Sequence, residues 1–280
     1  MREIHIKEIE NAIRDLCIDA NYYIGSDIKK ALEDSKERET FKIAEDVLDK
    51  IIINNDIACN DKMPMCQDTG MACVFLEVGQ DVHFIGGLVE VAINEGVRRG
   101  YEEGYLRKSV VKDPINRVNT KDNTPAVIYY DIVAGDKVKI TLAPKGFGSE
   151  NMSRIGMLKP ADGLEGVKKF IIETVRLAGP NPCPPMVVGV GIGGTFDKAA
   201  YLSKKALLRP INEGNKEEFY RNLEIELLEE MNKLGIGPQG FGGRTTALGL
   251  NIETYPTHIA GLPVAVNISC HATRHKDIIL

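Results

Sequence analysis

Close cysteine pairs are missing from this chain. It has six cysteines (Cys17, Cys59, Cys66, Cys73, Cys183 and Cys270), but no CxxC occurs. That excludes a zinc ribbon, a thioredoxin motif and a ferredoxin-type cluster site, all of which need close pairs. Also missing is any apolar run approaching the ~20 residues that cross a bilayer. The opening, MREIHIKEIENAIRD, is charged and amphipathic rather than a signal peptide, so the cytosol is the expected compartment and no membrane partner is expected. Net positive charge is lacking too. At -5 over 280 residues there is no electrostatic reason to expect nucleic acid. Internal repeats and low-complexity linkers are absent. What remains is 43% hydrophobic and 27% charged, the composition of an ordinary globular protein long enough for one or two domains.

Residues 1 to about 55 are almost without Pro and Gly and read as helical. Ile4, Ile6, Ile9, Ile13 and Leu16 recur at helical spacing, as do Phe41, Ile43, Val47, Leu48 and Ile51. MPMCQDTG reads as a loop and MACVFLEV as a strand. A helix is expected over 87–101. Residues 126–142 read as a β-hairpin, with Val138, Ile140 and Leu142 alternating with Lys137, Lys139 and Thr141 on a half-exposed sheet. KGFGSEN is a glycine-rich loop. Helices follow over about 161–177, 195–208 and 216–234, with the strand-like run MVVGVGIGG between the first two. The GPQGFGGR loop and apolar strands ending in VAVNISCHATRH close the chain. The fold class is α+β (mixed α/β): an N-terminal helical segment, 1–58, packed on a mixed, partly antiparallel sheet with flanking helices.

In a reducing cytosol the cysteines are expected as thiols, ligands or reactive groups rather than disulfides. Cys17 falls in the first helix and Cys73 in a strand, so both read as inert core, while Cys59 is open between an inert and a reactive role, with inert favoured. Cys66, Cys183 and Cys270 lie in loops or at element ends among stiff or polar neighbours, settings that suit a thiolate ligand. Three cysteines on one cubane would leave one iron open, a Lewis acid for a substrate hydroxyl and carboxylate. A zinc site using these cysteines with His271 or His258 is the alternative. Gly189, Gly191 and Gly194 spell a formal GxGxxG. No acidic residue follows at the needed distance, so it reads as a tight turn bringing amides near an anion rather than as a dinucleotide site. Asp68, Gln67, Arg107, Lys145, Arg244 and His258 are the polar groups at loops, and Arg and Lys there could clamp carboxylates.

CQDTG at Cys66, the Leu106-Arg107 pair and KGFGSEN at Lys145 resemble motifs of one known family. So do CPP at Cys183, GGT at Gly193, GFGGR at Gly240 and the PTHIAGLPVAV–SCHATRH stretch. Together, over about residues 60–275, the chain closely resembles the α subunit, or N-terminal domain, of the class I iron–sulfur fumarate hydratase and L(+)-tartrate dehydratase family. The resemblance implies Cys66, Cys183 and Cys270 as ligands of a [4Fe–4S] cluster. It implies Gln67, Arg107, Gly148 and Arg244 as substrate contacts, Asp68 as general acid and His258 as its supporting histidine. It further implies a small dicarboxylate substrate, malate and fumarate or tartrate, and a single catalytic domain over 1–280 whose part 59–280 binds cluster and substrate. A separate β subunit would supply the base, a threonine, in an α2β2 assembly. A non-catalytic cluster-binding subunit is the reading from another class.

Overall fold

The structure, a computed structural model, describes residues 1–280. It is mixed α+β, and the chain divides into two compact units, neither contiguous in sequence. The first comprises Met1–Ile24, Asn54–Phe147 and Arg274–Leu280. The second comprises Gly25–Ile53 and Gly148–Thr273. No helix is long and apolar enough to cross a membrane.

The first unit opens with a short strand, β1 (Arg2–His5), which corrects the helical reading of the first residues because Arg2–His5 pair with the strand residues 82–85; the helix α1 (Ile6–Tyr22) follows. His5 caps that helix, its Nδ1 accepting the Lys7 N–H while Glu8 bonds back to the His5 N–H, so two otherwise orphaned donors are satisfied. The next helix, α2 (Ser26–Arg38), and α3 (Lys42–Asp61) as far as Ile53 belong to the second unit, and α3 from Asn54 returns to the first. Along α3 the buried stripe is Ala44, Leu48, Ile51, Asn55 and Ala58. Phe41 and Ile43, expected on the apolar face, are about half exposed.

Two strands follow, β2 (Met71–Gly79) and β3 (Val82–Ile85), then α4 (Val89–Glu103), β4 (Val127–Val133) and β5 (Val138–Lys145). The last strand of the chain is the tenth, Lys276–Ile279. The main sheet runs in the order tenth strand, β5, β2, β4, while β1 pairs with β3. The expected hairpin is therefore corrected: β4 and β5 do not pair, because β2 lies between them, parallel to β4 and antiparallel to β5. The connection passes over the end of β2, with the Gly79 N–H on the Lys137 carbonyl and the Asp81 N–H on the Gly135 carbonyl. A Cβ on Gly79 would stand 2.5 Å from the Gly135 oxygen, so glycine is what lets the chain cross there. The alternation in β5 is as expected, with Val138, Ile140 and Leu142 buried. They meet Ile9, Ile13, Leu16 and Cys17 of α1 and Ile93, Val97 and Tyr101 of α4 in one core. The two helices approach closely because Gly96 and Gly100 present no side chain to Glu10, Ile13, Arg14 and Cys17.

The second unit holds α5 (Phe147–Glu150), whose first residue closes the first unit, then β6 (Arg154–Leu158), α6 (Gly163–Ala178), β7 (Met186–Gly193), α7 (Phe196–Ala206) and α8 (Glu218–Lys233). Two strands, β8 (Ala247–Tyr255) and β9 (Leu262–Ser269), complete a sheet ordered β6-β9-β7-β8. Only β7 and β8 run parallel in it. In the central strand β7 the two faces differ. Met186, Val188 and Val190 pack with Val167, Ile171 and Val175 of α6 and Leu227 and Met231 of α8. Gly189 and Gly191 lie under α7, where an added Cβ would come 2.1 Å from the Ser203 and Ala199 carbonyl oxygens. The GxGxxG pattern thus serves close helix-on-strand packing, and the anion-turn expectation for Gly189 and Gly191 gives way to that contact.

Candidate active site

In the first unit the segment between α3 and β2 carries Cys66, Gln67 and Asp68. Asp68 is half-buried, and both of its carboxyl oxygens are fixed by main-chain donors. Oδ1 accepts the Gly70 N–H at 3.0 Å and Oδ2 accepts the Phe147 N–H at 2.9 Å. A Cβ on Gly146 would sit 3.1 Å from Oδ2, so the KGF turn can close on the carboxyl group only because that residue is glycine. Arg107 is exposed, and its Nη1 donates to Gln67 Oε1 at 3.2 Å. Three of the expected substrate-site residues, Gln67, Asp68 and Arg107, are therefore joined in one local network.

Several residues that hold this network escaped the sequence reading. The buried Thr69 hydroxyl accepts the Arg107 N–H at 2.9 Å and donates to the Arg107 carbonyl at 3.1 Å. Tyr101, fully buried, places its hydroxyl 2.7 Å from the Thr69 carbonyl and 3.0 Å from that of Gly70. Burial pushes the Tyr101 phenol well above its ordinary value, so it stays a neutral donor. Asn123 is equally buried. Its Nδ2 donates to the Gly70 carbonyl at 3.1 Å, while its Oδ1 accepts the Ser109 N–H at 2.7 Å. Tyr101 and Asn123 lie tens of residues from the loop, so no local sequence signal could have found them, whereas Thr69 stands within CQDTG itself. Lys145, considered as a clamp, is buried at the end of β5.

In the second unit, Cys183 is exposed and Cys270 half-buried. Cys183 has φ +54°, a left-handed conformation that a non-glycine residue adopts at a cost and that glycine would take freely. A thiol is thus carried where the backbone alone would favour glycine. The segment is braced on several sides. The Cys183 N–H donates to the Pro180 carbonyl at 3.1 Å, and the Cys183 carbonyl accepts the His271 N–H at 3.2 Å. Gln239 gives both its main-chain N–H (2.8 Å) and its Nε2 (2.9 Å) to the Pro184 carbonyl. The Cys270 turn is closed by Thr273, whose N–H and hydroxyl both reach the Cys270 carbonyl. An added Cβ on Gly148 would be 3.9 Å from the Asn181 carbonyl oxygen. The structure therefore gathers Gly148, Cys183 and the start of the Cys270 turn. Behind Gly148, Glu150 is pinned by Lys204 at 2.6 Å and Asn267 at 3.0 Å.

Arg244 is exposed at the end of the GFGGR loop, and its N–H donates to Glu39 Oε2 at 2.7 Å. His258 is exposed in the turn between β8 and β9. Its Nδ1 accepts the Ala260 N–H at 3.2 Å, and it stands at a cavity of about 410 Å³ lined largely by Leu164, Ile192, Phe219, Leu223 and Ile259. Within either unit, no three His, Cys, Asp or Glu side chains stand close enough together to hold a metal ion. Cys66 belongs to the first unit and Cys183 and Cys270 to the second. Cys17 and Cys73 are buried as expected, and burial pushes the Cys17 thiol well above its ordinary value, away from ligand or nucleophile chemistry. Cys59, favoured as inert, is exposed on α3.

A mixed α+β chain that fixes a carboxyl group, an amide and a guanidinium in one network, with glycines opened around the carboxyl oxygens, has the build of an enzyme. The chain belongs to the fumarate hydratase (Fumerase) family, whose model matches residues 10–279. It is an enzyme of the hydro-lyase class. Among its relatives, a Methanocaldococcus jannaschii protein provisionally named L(+)-tartrate dehydratase subunit alpha is 45% identical over 274 residues, 95% of each chain. The L(+)-tartrate dehydratase subunit alpha of Escherichia coli O157:H7 is 33% identical over 258 residues, 91% of this chain and 84% of that one. The protein of that name from Shigella sonnei has the same identity and coverage.

Proposed function

We propose that this chain is the α subunit of an iron–sulfur hydro-lyase that interconverts fumarate and L-malate. In this reading Cys66, Cys183 and Cys270 hold a [4Fe–4S] cluster, and a separate β subunit completes the active site in an α2β2 assembly. The observation that carries it is the Asp68 carboxyl group, fixed by two N–H donors in the loop that also bears Cys66, within a chain of the fumarate hydratase family.

The donor set fits such a cluster. All three thiols are on loops, exposed or half-buried, and thiolate is the soft donor that holds the irons of such a cluster. Cys183 holds its strained backbone position with a ligand-type side chain. Within the first unit, Arg274 donates a hydrogen bond to the carbonyl of Asp68, two residues after Cys66. When bound, the cluster would supply a Lewis acid for the hydroxyl and adjacent carboxylate of the substrate. Asp68 is assigned the proton that leaves with hydroxide as water, and its fixed oxygens keep that proton at one point in space. Arg107 binds a substrate carboxylate through the guanidinium donors that Gln67 does not use. Because the Gln67 oxygen is taken by Arg107, its NH₂ is the group left to donate. Gly148 leaves room beside the Cys183 loop, Arg244 adds a second cation, and His258 is assigned the support of Asp68. The base at the other carbon comes from the β subunit. The relatives' names favour a second reading, L(+)-tartrate dehydration, which the same groups would serve.

Anaerobic Cys66→Ser, Cys183→Ser and Cys270→Ser are each expected to cut iron and sulfide content, and Cys17→Ser and Cys73→Ser to leave it unchanged. Equal loss across all five overturns the ligand assignment. Asp68→Asn is expected to keep the cluster and to lose about 10²–10⁴-fold in turnover, and full activity would remove it from the acid role. Turnover of fumarate, malate and tartrate by the chain assembled with its β partner separates the two substrates. Activity of the chain alone would count against a shared site.

A further inference from the structure

Beside Asp68 lies a buried cation that none of the chemistry above uses. Arg274 is 6% exposed. Its Nη2 donates to the Asp68 carbonyl at 2.6 Å and its Nε to Asn21 Oδ1 at 3.1 Å. Asn21, on α1, is 1% exposed and makes two further bonds. Its Nδ2 donates to the Cys17 carbonyl at 2.9 Å, which turns Oδ1 toward Arg274, and its carbonyl accepts the Met65 N–H at 3.0 Å. Asn54 holds the Met65 carbonyl at 2.8 Å. Cys66 and Gln67 are therefore bracketed by two anchored residues, Met65 and Asp68, that hang from one Asn21–Arg274 pair.

From this geometry we infer that Arg274, seated on Asn21, is the positioning residue that sets where Cys66 and the Asp68 carboxyl group stand. This deepens the reading above and rests on it for the roles of Cys66 and Asp68. The Asp68 side chain is fixed at its oxygens by Gly70 and Phe147, but those bonds hold only if its own backbone is fixed as well, and Arg274 does that. A guanidinium is suited to the task because its fork sends rigid donors in two directions, toward α1 and toward the loop. An ammonium is a point charge with no such fork. Arg274→Lys therefore keeps the charge and loses the geometry.

The test uses the full chain without cluster, for Arg274→Lys and Asn21→Ser. The variants are expected to exchange the Gly70 and Phe147 amide hydrogens about tenfold faster or more, relative to β7 amides, as local opening becomes easier. Alkylation of Cys66 by iodoacetamide should accelerate while that of Cys183 does not. In the chain assembled with its β partner and cluster, kcat is expected to fall about tenfold or more with KM changed less than about twofold, the mark of a misplaced reacting group. A merely structural residue would lower the folded fraction and leave kcat per folded molecule intact. Folded variants with unchanged exchange and unchanged Cys66 labelling overturn the inference, whatever the activity. Should Arg274→Lys fail to fold, Asn21→Ser decides by the same measurements. Faster exchange and labelling in a protein that turns over none of the three acids would sustain the clamp and remove the hydro-lyase roles instead.

Discussion

The Cys66 loop and the Cys183 loop are held by opposite means. The first is held by side chains from far along the chain: Tyr101, Asn123 and Arg274 each cap a main-chain carbonyl of residues 68–70. The second is held mostly by main chain, proline and glycine, with Gln239 delivering two donors to one carbonyl. The difference has an energetic consequence. A buried carbonyl served by a single distant side chain is stranded when that side chain goes, at the full desolvation cost. A carbonyl with two donors on one residue, or a turn closed by its own backbone, tolerates the loss of one side chain. The Cys66 loop should therefore be the brittle half and the Cys183 and GFGGR loops the tolerant half.

Two glycines break or sharpen that contrast most strongly. Gly70 has φ +72°, and a Cβ there would lie 2.7 Å from the backbone of Lys145, which cannot move without shifting β5 off β2. Gly70→Ala combines left-handed strain with a backbone clash and is expected to cost about 3 kcal/mol or more. Gly242 in the GFGGR loop also has a left-handed φ, +84°, but its nearest neighbour to a Cβ would be the Phe41 ring at 3.7 Å. Gly242→Ala should cost only the strain, about 1–2 kcal/mol. Urea unfolding measures both, and equal losses would mean that the Gly70 contact with β5 gives way freely.

The same contrast explains what could be read from the sequence. The cysteine setting at Cys183, the GFGGR loop, the later helices and the alternation of Val138, Ile140 and Leu142 are local patterns, and the structure shows those elements close to their expected bounds. KGFGSEN, read as a loop, instead carries the short helix Phe147–Glu150, and Arg2–His5, read as helical, is a strand. The hairpin over 126–142 was misread because strand order is a long-range property. Nothing in those residues reports that β2 inserts between β4 and β5, and only Gly79 hints at a chain crossing. The GxGxxG pattern misled for a related reason, since a glycine needed under a helix and a glycine needed at a phosphate look alike in one dimension. Gln67, Asp68 and Arg107 were visible through family motifs. Their bracing by Tyr101, Asn123, Asn21 and Arg274 was not, because those partners are joined to the loop only by the fold.

A smaller effect comes from removing one hydroxyl. Tyr101→Phe leaves the ring packed among α1, α4 and β2 but withdraws the Tyr101 hydroxyl from the Thr69 carbonyl, while the Gly70 carbonyl keeps its bond from Asn123. The expected cost is about 1–3 kcal/mol. Gln239→Gly is the matched change in the other loop. It loses the Nε2 bond but keeps the N–H bond to Pro184, and it relieves a φ of +53°, so less than about 1 kcal/mol is expected. Chemical denaturation of both proteins gives the comparison, and a larger loss at Gln239 than at Tyr101 would reverse the assignment of brittle and tolerant halves.

The smallest expected effect tests the one carboxylate brace of the GFGGR loop. Glu39 accepts the N–H groups of Thr40, Phe41 and Arg244. Burial works to raise its carboxyl, but those three donors and the Arg244 charge outweigh burial and leave it below the ordinary glutamate value. A carboxyl lowered on folding stabilises the fold above its unfolded value, about 4.3 for glutamate, and that contribution is lost as pH falls through the lower, folded value. Wild-type protein should therefore lose part of its stability on acidification through this window, and Glu39→Gln should lose less over the same range. The two urea midpoints are expected to lie farthest apart near neutral pH and to converge in acid. If the gap stays constant with pH, Glu39 contributes through shape alone, and the GFGGR loop depends on main chain and glycine even where it touches a charge.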